Sequence, residues 1–315
     1  MNLLGRSVGA ALAVIASPLV RAADQRPTFK SEVQLVAINA VVTDKRGRTV
    51  TNLNEDAFQI SEDNRPQRIS HFTRDPLPLS IAVALDTSGS MHGERFEYAR
   101  QAILRLLDRL GPKDEVTIYG FNNRPYPIIP WTQSRDAAAK ALADEQPMAG
   151  GFTALFDAVR VGLQGLDAAT ARRRALLIIS DGNDELPDDR WHGTGITRPI
   201  NLTALERRSS VVADVTRSEG VVYAIGISDP RRFEQALDEE ALRALVNPTG
   251  GVAATVHANE DIPGAVEGVL ADLRDQYLIG FVPTHPPDGK FHKLKVTVRG
   301  CDCHVRARAG FVYSH

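Results

Sequence analysis

Ten residues, Ile81-Ala82-Val83-Ala84-Leu85-Asp86-Thr87-Ser88-Gly89-Ser90, constrain this chain more than any other stretch. The apolar run predicts a strand buried on both faces, as in the middle of a parallel sheet. It ends in a carboxylate and two hydroxyls at alternate positions, Asp86, Ser88 and Ser90. Gly89 gives the backbone freedom for a tight turn, and a helical pattern follows. Small oxygen ligands in a loop at the carboxyl end of a central strand suit a hard cation.

Two further stretches reach the same kind of position. Residues 175–179 are apolar and lead into Ser180-Asp181-Gly182, which places a second carboxylate just past a buried strand. Gly150-Gly151-Phe152-Thr153 is a glycine loop that carries Thr153 to the start of a helix. In an open α/β sheet, loops at the strand carboxyl ends converge on one crevice. Asp86, Ser88, Ser90, Thr153 and Asp181 are therefore the candidate metal ligands. Taken singly, each has a plain structural reading: a turn at 86–89, a helix N-cap at Thr153, and an Asp-Gly turn at Asp181. Asp157 reads as a dipole-favourable residue in a helix first turn.

The middle of the chain, residues 76–275, alternates strands and helices. A helix over 94–110 carries Phe96, Ala99, Ile103, Leu106, Leu107 and Leu110 on one stripe. Residues 126–130 lie between prolines and read as an edge strand. Such alternation predicts an α/β, doubly wound, mostly parallel sheet. Residues 24–75 read instead as short strands and turns, too few to fill a core alone. Residues 276–315 show a similar strand-like alternation, in which His292, Leu294, Val296 and Val298 interleave with Lys293, Lys295, Thr297 and Arg299. The two ends therefore predict one small β-sandwich-like module, with the middle inserted into it.

Several function classes have little support. The formal net charge is −2 with no basic excess, which argues against nucleic-acid binding. Asp86-Thr87-Ser88-Gly89 interrupts the Asp-Thr-Gly of aspartic proteases, and no second copy exists. A serine hydrolase needs a strained elbow and a histidine base, and His92 reads as a surface residue. Cys301 and Cys303 sit two apart in a strand-like pattern, a poor fit to a disulfide. They read as buried core rather than as a redox pair or a metal pair with His304. Arg172-Arg173-Arg174 reads as a solvated turn before a strand, and Trp131 as packing. The acidic segment 184–201 reads either as a specificity loop on the rim of the site or as a solvated loop.

The N-terminus predicts a signal peptide over residues 1–23. Arg6 precedes a short apolar run over 8–20, followed by a small-residue cleavage site. That run is too short to span a bilayer. The protein is expected to be exported, periplasmic or secreted.

Asp-x-Ser-x-Ser at 86–90, the Gly-Gly-x-Thr loop ending at Thr153 and Ser-Asp-Gly at 180–182 resemble the metal-ion-dependent adhesion site of von Willebrand factor type A domains. The resemblance covers roughly residues 76–273. The flanks at 41–45, 55–58, 277–281 and 306–311 resemble bacterial VWFA-related proteins of the acidobacterial type. The resemblance implies protein binding rather than turnover. It implies that Ser88 and Ser90 coordinate Mg²⁺ directly, with Asp86, Asp181 and Thr153 acting directly or through water; Mn²⁺ and Ca²⁺ are the alternative ions. The implied partner is a protein that supplies a Glu or Asp carboxylate. The competing expectations are a metal-dependent hydrolase and a structural envelope protein with a vestigial site.

Overall fold

In a computed structural model, the described residues are 35–75, 77–150, 152–181, 184, 204–228 and 237–313. The predicted signal peptide, Gly151, Gly182 and most of the acidic segment 184–201 lie outside them.

The chain opens with four strands, β1 (Val36–Asp44), β2 (Phe58–Glu62), β3 (Arg65–Gln67) and β4 (Ile69–Thr73). The alternating part follows: β5 (Leu79–Asp86), α1 (Glu94–Arg109), β6 (Glu115–Phe121), β7 (Pro125–Thr132), α2 (Arg135–Ala143), α3 (Leu155–Asp167), β8 (Arg173–Ser180), α4 (Ala204–Arg217), β9 (Val221–Ile227), α5 (Glu239–Val246), β10 (Ala253–Val256) and α6 (Ile262–Arg274). Strands β11 (Tyr277–Phe281), β12 (Phe291–Val298), β13 (Cys303–Ala307) and β14 (Gly310–Val312) close the chain.

Six strands form one sheet in the order β10-β9-β8-β5-β6-β7. Every pair in it is parallel except β6 with β7, which lies at the edge as the flanking prolines predict. Every residue of β5 is buried, which explains its lack of polar alternation. Ile81, Val83 and Leu85 join one core with the apolar stripes of α1 and α6. Ala82 and Ala84 face the other way, into a core shared with α3, α4 and α5. The small side chains on that face let α3 approach closely: a Cβ at Gly162 would lie 2.5 Å from Leu176 Cδ1. Two packed faces make this a doubly wound sheet.

The remaining strands form two antiparallel sheets, β13-β1-β11-β4 and β14-β12-β2-β3. Each draws strands from both ends of the chain, with Ile38 opposite Ile279 and Val296 opposite Ile60. Their inward residues, including Ile38, Phe58, Ile60, Tyr277, Phe281, Leu294 and Phe311, form a third core. Neither end carries enough apolar surface alone, so each completes the other.

Two sequence expectations need correction here. Cys301 and Cys303 are joined by a disulfide, with their Cα atoms 5.3 Å apart. Only Cys303 lies in a strand; Gly300 takes φ +76° and the chain bends through Cys301, so the same-face argument for an extended pair does not apply. Both cysteines are half-buried, and Cys303 packs against the third core. Arg173 is likewise not a solvated turn residue, being 3% exposed. Its guanidinium donates to the carbonyls of Asp75 and Gln276, at 3.4 and 3.1 Å. It thus holds both links between the parallel sheet and the β-module.

Candidate metal centre

The buried strand β5 delivers Asp86 to the carboxyl edge of the sheet, where the residue is fully buried. Its Oδ1 accepts the Ser88 backbone N–H at 2.8 Å, which folds the chain back immediately after the strand. Its Oδ2 accepts the Ser180 hydroxyl at 2.5 Å. Ser180 is the last residue of the neighbouring strand β8. Parallel pairing of β5 and β8 sets Leu85 beside Ile179, so both strands end at the same level.

From there a chain of contacts joins the two loops. Ser88 Oγ and Ser90 Oγ are 2.9 Å apart, and Ser90 Oγ donates to Asp181 Oδ1 at 2.7 Å. A hydroxyl has one proton, so with Ser90 donating to Asp181 the Ser88 hydroxyl is the donor to Ser90. Asp86, Ser88, Ser90 and Asp181 are thus brought together, although 91 residues separate Ser90 from Asp181.

The third loop is tied to the first by backbone. Met148 N donates to Thr87 O at 2.8 Å. A Cβ at Gly89 would lie 2.7 Å from Gly150 N, so only glycine permits this approach. Gly150 itself has φ +79°. Beyond it, Phe152 N donates to Asn123 Oδ1 at 2.6 Å, and Ala154 N to Asn122 O at 2.7 Å. Thr153 lies between these two anchored residues and is 3% exposed. Among the described residues its hydroxyl is outside the Ser88–Ser90–Asp181 chain of hydrogen bonds, and backbone proximity alone brings its loop to the group.

The electrostatics favour a cation. Burial pushes the Asp86 carboxyl up to about 7, the negative Asp181 adds to the rise, and hydrogen bonds from Ser180 and Ser88 offset part of it. Two buried carboxylates beside two serine hydroxyls fit a hard divalent ion, whose charge relieves that repulsion where the Arg95 guanidinium now pairs with Asp181.

Sequence reasoning passed over two contributors and misplaced a third. Arg95, 9% exposed in the first turn of α1, donates to Ser90 O at 3.0 Å and forms an ion pair with Asp181 Oδ2. A cation in a helix first turn runs against the helix dipole, and that was the available signal. Thr87, the unassigned residue inside the motif, stitches the floor: its N–H donates to Phe121 O at 2.8 Å and its hydroxyl lies 2.9 Å from Tyr126 OH. Asp184 is not a rim residue. Its Oδ1 accepts the Phe156 N–H at 3.0 Å at the start of α3, and it pairs with Arg207 of α4. His92 is exposed, and Trp131 packs against the α3-side core while donating to Gly165 O at 3.0 Å.

Residues 81–183 match the family described as von Willebrand factor type A domain. A protein of Synechocystis sp. is 34% identical over 114 residues, which cover 36% of this chain and 27% of that protein. Human inter-alpha-trypsin inhibitor heavy chain H4 is 26% identical over 197 residues, covering 59% of this chain and 19% of that one. These relatives are thus much longer than the region they share with this chain. Among solved structures, the PilB minor pilin from Streptococcus sanguinis superposes with a TM-score of 0.50 at 12% identity, over 67% of this chain and 64% of the pilin. That likeness concerns the fold.

Proposed function

We propose, from the match of residues 81–183 to the von Willebrand factor type A domain family, that Asp86, Ser88, Ser90, Thr153 and Asp181 hold Mg²⁺ and use it to bind an acidic side chain of a partner protein. One observation carries the reading: the Ser88–Ser90–Asp181 hydrogen-bonded chain, which joins residues from two distant loops. A bound divalent ion supplies a positive position with affinity for a carboxylate oxygen. Asp86 anchors the first loop through Ser88 and Ser180, so that the two serine hydroxyls are pre-set rather than recruited. Hydroxyl ligands donate little charge, which leaves a cation held by them attractive to an incoming anion. Mn²⁺ and Ca²⁺ share the oxygen preference and are the alternative ions.

We read the site as one for binding rather than catalysis, the role that the resemblance to type A domains implies. We also propose export to the periplasm or beyond, with residues 1–23 as signal peptide. The charged start and apolar run at 8–20 support this, as does the Cys301–Cys303 disulfide, since disulfides persist in oxidising compartments. No helix among the described residues is long and apolar enough to cross a membrane. The proposed division is a type A domain over 76–275 and a β-module from 24–75 and 276–315.

A second reading has one observation in its favour. Arg95 already sets a positive charge on Asp181, which is what a structural remnant closed by an internal cation would show. Affinity capture from the native envelope, run in parallel with Mg²⁺ and with chelator, separates the two. The metal-site reading predicts a partner retained in Mg²⁺ and released both by EDTA and by Asp86→Ala. Capture unchanged by both treatments favours the remnant.

A further inference from the structure

The β-module carries a second group of ligand-type side chains, far in sequence from the first. Glu62, His285 and His292 each offer one ligand atom, all within 4.8 Å of one another. Glu62 is the last residue of β2 and is 3% exposed, and His292 in β12 is 8% exposed. Antiparallel pairing sets Glu62 opposite Leu294, so His292 stands two residues along on the same face. His285 comes from the connection between β11 and β12 and is half-buried.

The directions of the nitrogens are informative. Glu62 Oε1 lies 2.9 Å from His285 Nε2 and 3.7 Å from His292 Nδ1. Asp63 Oδ2 lies 2.8 Å from the same His292 Nδ1. The other nitrogen of each ring is already engaged: His285 Nδ1 is 2.9 Å from Pro286 O, and His292 Nε2 is 3.0 Å from Asp288 Oδ1. A metal-ligating imidazole typically has its second N–H on a carbonyl or carboxylate, which fixes tautomer and ring orientation. The carboxylates are supported too. Glu62 Oε2 accepts Gln67 Nε2 at 2.9 Å, and Asp63 Oδ1 accepts the Lys293 N–H at 2.9 Å. That leaves Glu62 Oε1 and Asp63 Oδ2 directed at the histidines. Asp63 holds φ +47°, an uncommon conformation for a non-glycine residue.

We propose that Glu62, His285 and His292 form a second metal site, specific for Zn²⁺ or a similar borderline divalent ion, with Asp63 a hydrogen-bond partner that orients His292. Tetrahedral zinc with bonds of about 2.0–2.2 Å spaces its ligands by roughly 3.3–3.6 Å. The Glu62–His292 separation of 3.7 Å is close to that range, and the 2.9 Å Glu62–His285 hydrogen bond would open by about half an ångström as the ion replaces its proton. Two imidazoles and a carboxylate suit zinc, and they distinguish this site from the first, whose candidate ligands are all oxygens. The bound ion ties the β2–β3 turn to the β11–β12 connection and so fastens the two ends of the chain together.

The test uses the full chain carrying Asp86→Ala, so that zinc at the first site does not contribute. Isothermal titration with ZnCl₂ and visible absorption with CoCl₂ as substitute are read with and without a further His285→Ala change. His285 is partly exposed, so that variant should keep its fold, as circular dichroism checks. The proposal predicts one Zn²⁺ bound by Asp86→Ala, tetrahedral cobalt bands, and affinity at least ~100-fold weaker with His285→Ala added. Absence of zinc binding by Asp86→Ala, or equal binding with His285→Ala, overturns the site and leaves an ion-paired histidine cluster. Neither result bears on Mg²⁺ at the first site.

Discussion

At Gly89 a single methyl group decides whether two loops can touch. Its Cβ would lie 2.7 Å from Gly150 N and 3.0 Å from Gly150 Cα, both backbone atoms that have nowhere to move cheaply. Gly89→Ala should therefore cost about 1–3 kcal/mol in urea denaturation, as overpacking does. An unchanged midpoint would mean the loops are not in contact. At this scale the five ligand candidates could be found in sequence because each follows an apolar strand or a glycine loop. Arg95 could not be found that way. Its neighbour Phe96 belongs to the buried stripe of α1, and one step around a helix normally leads towards solvent, yet Arg95 turns to Asp181. Asp184 was hidden for a similar reason: an acidic run reads as solvated, and only the position of α3 and α4 gives that one member its partners.

Among the elements, β5, β6 and the turn before β8 are held together at the end of the sheet away from the site by a buried glutamate. Glu115 accepts from the Ser80 hydroxyl at 2.6 Å, and from the N–H and hydroxyl of Thr170 at 2.6 and 2.9 Å. Burial alone would raise its carboxyl, but these hydrogen bonds outweigh burial and hold it below the ordinary 4.5. A folded-state value below the unfolded one contributes stability that is complete above about 4.5 and is lost as pH falls further. Glu115→Gln should thus lower stability at pH 7 and flatten the acid limb of stability below that value. Thermal melts between neutral and acid pH check this, and parallel profiles for the two proteins would contradict it. The elements themselves were mostly legible, because fully apolar runs and 3.6-residue stripes mark β5, β8, α1 and α6 without help from tertiary contacts. The bend at Gly300 was not, and an extended reading of residues 301–305 therefore missed the disulfide.

Over the whole molecule, one arrangement recurs: residues remote in sequence meet where parallel or antiparallel register brings chain ends level. Arg173 ties Asp75 to Gln276, β1 pairs with β11 and β13, and Ser90 reaches Asp181. Alternation in 292–298 made the antiparallel module readable, whereas no local pattern marks Arg173 as the buried link, because its role depends on both junctions at once. The central claim is that three loops at one sheet edge hold one cation. Titration calorimetry with MgCl₂ tests it most directly, on the wild-type chain and on Asp86→Ala, Ser88→Ala, Thr153→Ala and Asp181→Ala, each first shown to be folded. The account predicts one Mg²⁺ per wild-type chain and a marked loss of affinity in all four variants, including Thr153→Ala from the third loop. A wild-type chain that takes up no Mg²⁺, or a Thr153→Ala chain that binds it as tightly as wild type, would contradict it.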